Sequence, residues 1–289
     1  MVRPAERRGA VNHLVEAYQM SERRACQAIM LHRSTLQYEP SPDLNEGVRT
    51  RLKELAELRP RWGQPRLHVM LRREGFMVNH KRTERLYREL GLSLRLRKRK
   101  KRMSHLRVVM PAPTRPNERW SMDFVSDQLT TGRRIKCFTL VDDCSRESPV
   151  IEAGHSITGC YVVEILDQIK EERPLPHVIV CDNGSEFTSK VLDEWAHRNN
   201  VKLDFIDPGR PVQNAYIESF NGKFRDECLN QNIFFDLNDA KRKIEDCRRD
   251  YNTERPHSSL GNETPEMFAK QYQPMPLDKT GTCEVMTGP

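Results

Sequence analysis

Residues 178–225 change from a strand-like to a helix-like pattern of apolar and polar positions. The apolar run Val178–Val180 begins two residues after Pro176 and ends at a polar turn containing Asp182 and Gly184. Such a run between turn residues is typical of a buried strand. The pattern therefore predicts that Asp182 stands at the carboxyl end of a strand, facing a cleft.

A helix is predicted over residues 213–229, after a chain break at residues 208–211. Its apolar stripe and its neighbouring polar face are spaced by three and four residues, as on one helix. The stripe consists of Ile217, Phe220, Phe224 and Cys228, and the polar face of Asn214, Glu218, Asn221 and Arg225. Glu218 is thus expected on a core-packed helix with its carboxylate free.

The remaining pattern of residues 119–251 alternates strands with helices. Strands are predicted at 119–129, 135–142, 148–153, 178–180 and 201–206, and helices at 159–171, 190–199 and 237–251. Three consecutive strands followed by alternation with helices indicate a mixed α/β sheet covered on both faces. Asp123 falls in the middle of the first strand, and the central strands are expected to bring it beside Asp182.

The first hundred residues have only helical periodicity. Helices are predicted at 13–20, from Ser21 as a cap to about 30, at 33–38, 45–58, 65–74 and 80–90, with Asn79 capping the last. Residues 13–38 have the outline of a helix-turn-helix, although a plain helical hairpin would give the same pattern. The last helix buries Thr83, Leu86, Tyr87 and Leu90 and presents Lys81, Arg85 and Arg88 outward, without balancing acids. This stripe predicts DNA contact, whereas the ordinary alternative is a solvated face.

Positive charge is concentrated in the same half of the chain. Residues 1–110 hold 26 Lys and Arg against 11 Asp and Glu, a net +15, and the remaining residues have a net charge of −8. Clustered positive charge is typical of phosphate binding. A basic run before Pro111 is expected to lie extended and to make non-specific DNA contacts. It includes Arg97, Lys98, Arg99, Lys100, Lys101 and Arg102.

Three acids carry the candidate chemistry, namely Asp123, Asp182 and Glu218. Carboxylates on rigid elements are the ligands that hard divalent cations prefer, and a pair of ions about 4 Å apart can catalyse phosphodiester displacement. The rival ligands Asp142 and Asp143 end the second strand, and we assign them a structural role. The eight cysteines include no CxxC pair, so they are interpreted as reduced, mostly packed residues and not as a zinc site.

These acids and the phrases around them resemble a known family. Asp123, Asp182 and Glu218, with 35 residues between the last two, resemble the DDE triad of the retroviral-integrase superfamily. The phrases CDNGSEF, DPGRPVQNAYIESFNGKFRDECL and YNTERPHSSLGNETPEMF resemble the integrase core of second-frame products of bacterial IS3-family insertion-sequence transposases. The similarity extends from about Arg49 to about Phe268.

The resemblance implies an RNase H-like catalytic core, preceded by all-α helix-turn-helix-type regions, that binds two Mg²⁺ or Mn²⁺ ions. It implies DNA partners, namely the terminal inverted repeats of the element and a target, a homo-oligomer on DNA, and an upstream-frame product or fusion. Arg225 corresponds to the basic residue that follows the family's glutamate, and Asn221 and Lys223 are weaker DNA-contact candidates. The expected domains are 1–40, 45–103, 112–272 and a flexible tail, 273–289.

The expected activity is therefore metal-dependent DNA cleavage and strand transfer. Two alternatives remain open at this stage, a DNA-binding regulator without catalysis and a nuclease that cuts without joining. The amino terminus lacks the apolar stretch of a signal peptide, and the sequence has no run of eighteen apolar residues. We accordingly expect a cytoplasmic, nucleoid-associated bacterial protein with no membrane partner.

Overall fold

The computed structural model describes residues 4–38, 45–94, 113–207 and 214–272. The chain divides into two units, 1–50 and 51–289. In the first unit, α1 (Pro4–Tyr18), α2 (Glu22–Ala28) and α3 (Arg33–Leu36) enclose a small core. Its buried members are Val11, Ala25, Cys26 and Leu31. Helix α1 begins earlier than its periodicity predicted. Ser21 occupies the N-cap position of α2 as predicted, but its side chain makes no capping hydrogen bond.

Three helices, α4 (Glu46–Leu58), α5 (Gln64–Arg73) and α6 (His80–Glu89), follow. They bury apolar side chains at helical spacing. These include Leu52, Leu55, Leu67, Leu71, Leu86 and Tyr87. His68 Nδ1 lies 2.9 Å from Thr83 Oγ1, joining α5 to α6. The Asn79 side chain caps α6, as predicted, by accepting from the Lys81 N–H at 3.1 Å.

A five-stranded sheet forms the centre of the second unit. Its strands are β1 (Arg119–Gln128), β2 (Arg134–Asp142), β3 (Ile151–Gly154), β4 (Val178–Cys181) and β5 (Lys202–Phe205), in the order β3-β2-β1-β4-β5. The β1–β2 and β2–β3 pairs are antiparallel, and the β1–β4 and β4–β5 pairs are parallel. A meander thus continues into parallel strands, as the mixed RNase H-like fold requires.

Helices cover both faces of this sheet. On one face α7 (Gly159–Glu172) and α8 (Lys190–Arg198) pack against Met122, Phe138 and Ile179. On the other, α9 (Ala215–Glu227) and α10 (Leu237–Thr253) pack against Val125, Cys137 and Val141. Because side chains alternate along a strand, both faces of β1 are used. The predicted fold class is confirmed.

Several outcomes differ from the sequence prediction or lie outside the described residues. Strand β3 begins at Ile151 instead of residue 148, and a short helix, α11 (Pro265–Lys270), was not predicted. The seven cysteines in the described part are free thiols. The predicted basic linker with Arg97–Arg102 and the tail from residue 273 are outside the described residues. No helix within the described ranges combines the length and the apolar character needed to cross a bilayer.

Candidate active site

Adjacent parallel strands carry the two candidate aspartates. Ser121 of β1 pairs with Val180 of β4, so Asp123 and Asp182, two residues further along each strand, are level with each other. Met122 and Cys181 belong to the core beneath α7 and α8. Because alternate side chains point to opposite faces, the two aspartates are directed toward the face covered by α9.

Hydrogen bonds of the Asn221 side chain fix α9 against strands β1 and β2. Asn221 Nδ2 donates to Asp123 Oδ2 at 2.9 Å, and Asn221 Oδ1 lies 2.9 Å from the Thr139 hydroxyl. The second carboxylate oxygen of Asp123 accepts from the Phe124 N–H at 2.7 Å. Both polar groups of the Asn221 amide are thus used inside the protein. The DNA contact predicted for Asn221 stays a prediction, while its observed role is to position Asp123 and the helix.

Glu218 lies one turn before Asn221 on α9, and its side chain is exposed. The pKa of Asp123 is raised mainly by burial, against the effect of the Phe124 hydrogen bond. The negative charges of Asp182 and Glu218 raise it further. The three carboxylates are therefore electrostatic neighbours, and each added negative charge makes ionisation of Asp123 less favourable.

The donor chemistry of this group suits a hard divalent cation, since all three side chains offer carboxylate oxygens. Within the described ranges, however, no three Asp, Glu, His or Cys side chains are gathered closely enough to form a metal-binding group. Asp123 lies within β1 and Asp182 directly follows β4, whereas the Glu218 carboxylate is on an exposed, rotatable side chain. The residues fit Mg²⁺ in type and neighbourhood, and the triad assignment stays a prediction.

The rival acids are occupied by structural hydrogen bonds. Asp142 accepts from the N–H groups of Asn117 and Ser145 at 2.6 and 2.7 Å. Asp143 accepts from Ser121 Oγ at 2.7 Å and Arg119 Nε at 2.6 Å. Both side chains are almost completely buried. Their oxygens secure the turn after β2, consistent with the structural role assigned to them.

A cleft of about 1000 Å³ opens beside α9. Glu218 and Arg225 line it from α9, and Arg61 and Arg66 line it from the α4–α6 region. Arg225 is exposed and donates to the Ser126 carbonyl of β1 at 3.1 Å. The cleft therefore joins a candidate catalytic acid to several guanidinium groups suited to phosphate.

The α4–α6 region is held on the core by a cluster that sequence reasoning missed. Glu227 of α9 accepts from Arg255 at 2.6 and 2.7 Å and from the Trp62 indole N–H at 3.2 Å, and Arg66 lies 3.6 Å away. Burial, the largest single effect, raises the pKa of Glu227, but the hydrogen bonds from Arg255 and Trp62 and the charges of Arg255 and Arg66 together outweigh it, and the net shift is downward. We call Glu227, Arg255, Arg66 and Trp62 the Glu227 cluster. Its members are far apart in sequence, so no local pattern indicated it.

The basic face of α6 requires a correction. Lys81, Arg85 and Arg88 are exposed as predicted, but the stripe is not free of acids. Arg85 lies 3.6 Å from Glu89, and Arg88 forms an ion pair with Glu84, both at helical spacing of four. The earlier argument from an unbalanced stripe was therefore wrong, because Glu84 and Glu89, each four residues from an arginine, are close enough on the helix to pair with it. DNA contact by this helix stays a prediction.

Lys223 lines the same cleft as Glu218 and Arg225, although at five residues from Glu218 it is not in line with that residue along α9. Lys223 is half-buried, and burial together with neighbouring arginines lowers its pKa to about 8. This environment differs from that of an ordinary surface lysine.

Three family models match the chain. Two models described as integrase core domain match residues 113–211 and 199–265, and one described as HTH-like domain matches residues 43–101. These matches agree with the sheet-based core and the α4–α6 region.

Full-length relatives give the family. The IS407 uncharacterized 31.7 kDa protein of Burkholderia multivorans is 48% identical over 259 residues, covering 89% of this chain and 94% of that protein. The IS476 uncharacterized 39.2 kDa protein of Xanthomonas euvesicatoria is 46% identical over 271 residues, covering 93% and 78%. The IS904 transposase of Lactococcus lactis subsp. lactis is 26% identical over 227 residues, covering 74% and 89%. The chain therefore belongs to the family of integrase-core insertion-element transposases, among the second-frame products of IS3-type elements.

Proposed function

We propose that this transposase cleaves DNA at the ends of its element and joins the freed 3′ ends to a target. In this proposal Asp123, Asp182 and Glu218 hold two Mg²⁺ or Mn²⁺ ions. When bound, the ions activate an attacking oxygen and stabilise the leaving one. The observation that supports the proposal most is the Asn221–Asp123 hydrogen bond, because it fixes the helix bearing Glu218 against the strand edge that carries both aspartates.

The residues have distinct tasks in the two displacements. In the first, a water oxygen attacks the phosphate at an element end and the 3′ oxygen leaves as a 3′-OH. In the second, this 3′-OH attacks a target phosphate and displaces the 3′ oxygen of the target strand, which leaves as a new 3′-OH. Asp123, within β1, and Asp182, directly after β4, provide negative charge from positions anchored by the sheet, which keeps the ligand positions preorganised. Asn221 orients Asp123, and Arg225 holds a phosphate of the bound strand at the mouth of the cleft.

The replacement Asp182→Asn tests the proposal, because it removes one charged ligand while keeping the side-chain shape. We expect cleavage and joining of terminal-repeat oligonucleotides to be lost, with DNA affinity nearly unchanged. Glu194→Gln on α8 is the matched control, since this side chain is exposed on a helix that covers the opposite face of the sheet. Cleavage at the wild-type rate by Asp182→Asn would remove the assignment.

The same assay separates the two alternatives. A wild-type protein that binds the terminal repeats but never cuts them with Mg²⁺ or Mn²⁺ would be a regulator. One that cuts without joining the ends to a second duplex would be a nuclease.

The assembly proposed for this activity includes double-stranded DNA and further protein chains. Two element ends must be processed together, so a homo-oligomer on DNA is proposed, with an upstream-frame product or a fusion to it supplying end recognition. Its place of action is proposed to be the bacterial nucleoid, where such DNA is found. Mass photometry of the chain with and without terminal-repeat duplexes would measure the number of copies bound.

A further inference from the structure

A second cavity, of about 380 Å³, adjoins the cleft beside α9, and Ser219, Lys223 and Ser258 line both. Its polar lining consists of Arg146, Tyr216, Ser219, Lys223, Ser258 and Ser259. Among the described residues that line this cavity, the only charged side chains are Arg146 and Lys223. The cavity therefore carries positive charge without a carboxylate in its wall.

Neither cation of this cavity has an anionic partner. Lys223 makes no hydrogen bond or ion pair with any residue in the described ranges. Arg146 lies over the Tyr216 ring at 4.1 Å, and its buried Nη1 has no hydrogen-bond partner there. By contrast, the neighbouring Arg255 and Arg66 both use Glu227. Buried donors without partners are costly, and an anion bound between these two side chains would offset that cost.

The electrostatic surroundings point the same way. Burial is the largest cause of the lowered pKa of Lys223, followed by Arg255 and Arg66. Glu227 opposes the shift, and Arg146 adds to it. A bound anion between Lys223 and Arg146 would reverse this repulsion.

Hydroxyl groups complete the lining. Ser219, Ser258 and Ser259 are exposed at the cavity, and none of their hydroxyls is hydrogen-bonded to another described residue. A phosphate group has several acceptor oxygens, which are well served by a guanidinium, an ammonium and nearby hydroxyls. Carboxylates would use fewer of these donors.

We propose that this cavity binds a backbone phosphate of the DNA substrate, through Lys223 and Arg146. The proposal rests on the proposed function, since it takes DNA as the ligand, and it adds a contact in a cavity that adjoins the cleft lined by Glu218 and Arg225. Helix α9 then contributes Lys223 and Arg225 as two phosphate contacts, which fixes the strand relative to Glu218.

Lys223→Met and Arg146→Gln test the cavity in the full chain. A short fluorescent duplex of arbitrary sequence is titrated at several potassium chloride concentrations. We expect each variant to lose about tenfold in affinity, the scale of one charged hydrogen bond. The slope of log Kd against log salt should fall by about one for the lost phosphate contact. Lys202→Met is the matched control, because it removes the same charge from an exposed side chain on β5.

A folding defect is distinguished by thermal unfolding of the same variants. Lys223→Met should unfold at the same or a higher temperature, because it removes a buried cation from a cluster of arginines, and still bind DNA more weakly. Affinity and salt slope equal to those of Lys202→Met in both variants would overturn the proposal.

The source of the phosphate is tested separately. Inorganic phosphate, at ionic strength matched with potassium chloride, should not raise the unfolding temperature of the wild type more than that of Lys223→Met. If phosphate stabilises the wild type more than Lys223→Met while the two proteins bind DNA equally well, the cavity binds a small phosphate ligand and the proposal fails. None of these readouts requires catalysis, so they remain informative if Asp182→Asn contradicts the proposed function.

Discussion

Asp123 combines partial burial, two acidic neighbours and a hydrogen bond from α9. Its carboxylate is half-buried between β1 and α9, where burial and two neighbouring acids disfavour ionisation. An unshielded cluster of this kind costs stability in the free protein and is relieved by a cation. The Asn221 amide donates one hydrogen bond to this carboxylate, and its own carbonyl oxygen accepts from the Thr139 hydroxyl of β2.

Asn221→Ala is expected to impair metal use more than folding. Without the amide, Asp123 loses an orienting partner, and loss of such outer partners typically costs roughly 10–100-fold in metal affinity or activity. The measurement is the Mg²⁺ concentration for half-maximal cleavage, alongside thermal unfolding. Gln128→Ala, at the exposed end of β1, serves as the control. A purely structural role for Asn221 would lower the unfolding temperature while leaving the Mg²⁺ requirement unchanged.

Lys223 gives a prediction about pH. Its pKa is lowered from 10.5 to about 8 in the folded chain, by burial and by Arg255, Arg66 and Arg146, partly offset by Glu227. His257, which faces the same cations, has a pKa lowered to about 2 and is therefore neutral throughout this range. Below pH 8 the lysine is protonated in both states and its full electrostatic cost is present. Between pH 8 and 10.5 the unfolded chain binds more protons, so stability rises with pH.

The stabilisation produced by Lys223→Met should accordingly be largest near pH 7 and shrink as pH rises from 8 toward 10. Urea unfolding of the wild type and the variant at pH 7 and at pH 9.5 measures this difference. Taking the difference in unfolding free energy between the two proteins cancels the contribution of all other titrating groups. If Lys223→Met changes the free energy of unfolding equally at both pH values, protonation of this lysine does not destabilise the folded protein, and the prediction is wrong.

At the scale of elements, tight contact between α7 and the loop after β4 locates the strand that carries Asp182. A Cβ on Gly159 would lie 2.2 Å from Ser189 Oγ and 2.9 Å from the Glu186 carbonyl oxygen. Because the Glu186 carbonyl oxygen belongs to the backbone, α7 and the segment before α8 must separate to admit a methyl group. The N-terminus of α7 is therefore packed directly against the segment that leads from Asp182 into α8.

Gly159→Ala should destabilise the protein by about 1–3 kcal/mol, as overpacking usually does. Gly222→Ala is its counterpart, since a Cβ there meets nothing within 4 Å and the residue lies inside α9. Alanine is the better helix former, so this change should stabilise by about 0.5–1 kcal/mol. Chemical unfolding of both variants measures the pair, and a neutral Gly159→Ala would contradict the packing argument.

Elements with a strong local pattern were predictable, and contacts between elements were not. The run at Val178 and the stripe on α9 are visible in sequence because burial on one face imposes a period. The hydrogen bonds of Asn221 depend on which side chains meet after folding, whereas the acids beside Arg85 and Arg88 are four residues away on the same helix and follow from the sequence. The family phrases indicated the three acids, whereas the cavity of Lys223 and Arg146 joins residues 77 positions apart without a motif.

At the scale of the whole second unit, the Glu227 cluster holds the α4–α6 region on the core. Arg255 is 2% exposed, so its charge depends on Glu227 for compensation. Further contacts run from Arg73 to the carbonyls of Glu254 and Asn262, each at 3.0 Å. Helix α9 thus links the region expected to grip DNA with the acids expected to cut it, through residues at its two ends.

Glu227→Gln is the change that tests this linkage. It leaves Arg255 buried without a counter-charge, and breaking a buried pair in this way costs about 3 kcal/mol. Amide hydrogen exchange should rise along α5 and at the end of α10, because Trp62 and Arg66 lose their shared acceptor as well. Asp226→Asn breaks the neighbouring pair with Arg61, which is largely exposed and should cost less than about 1 kcal/mol. If exchange in α5 is unchanged in Glu227→Gln, the remaining contacts alone hold this region, and the cluster does not control how the α4–α6 region is placed beside the cleft of α9.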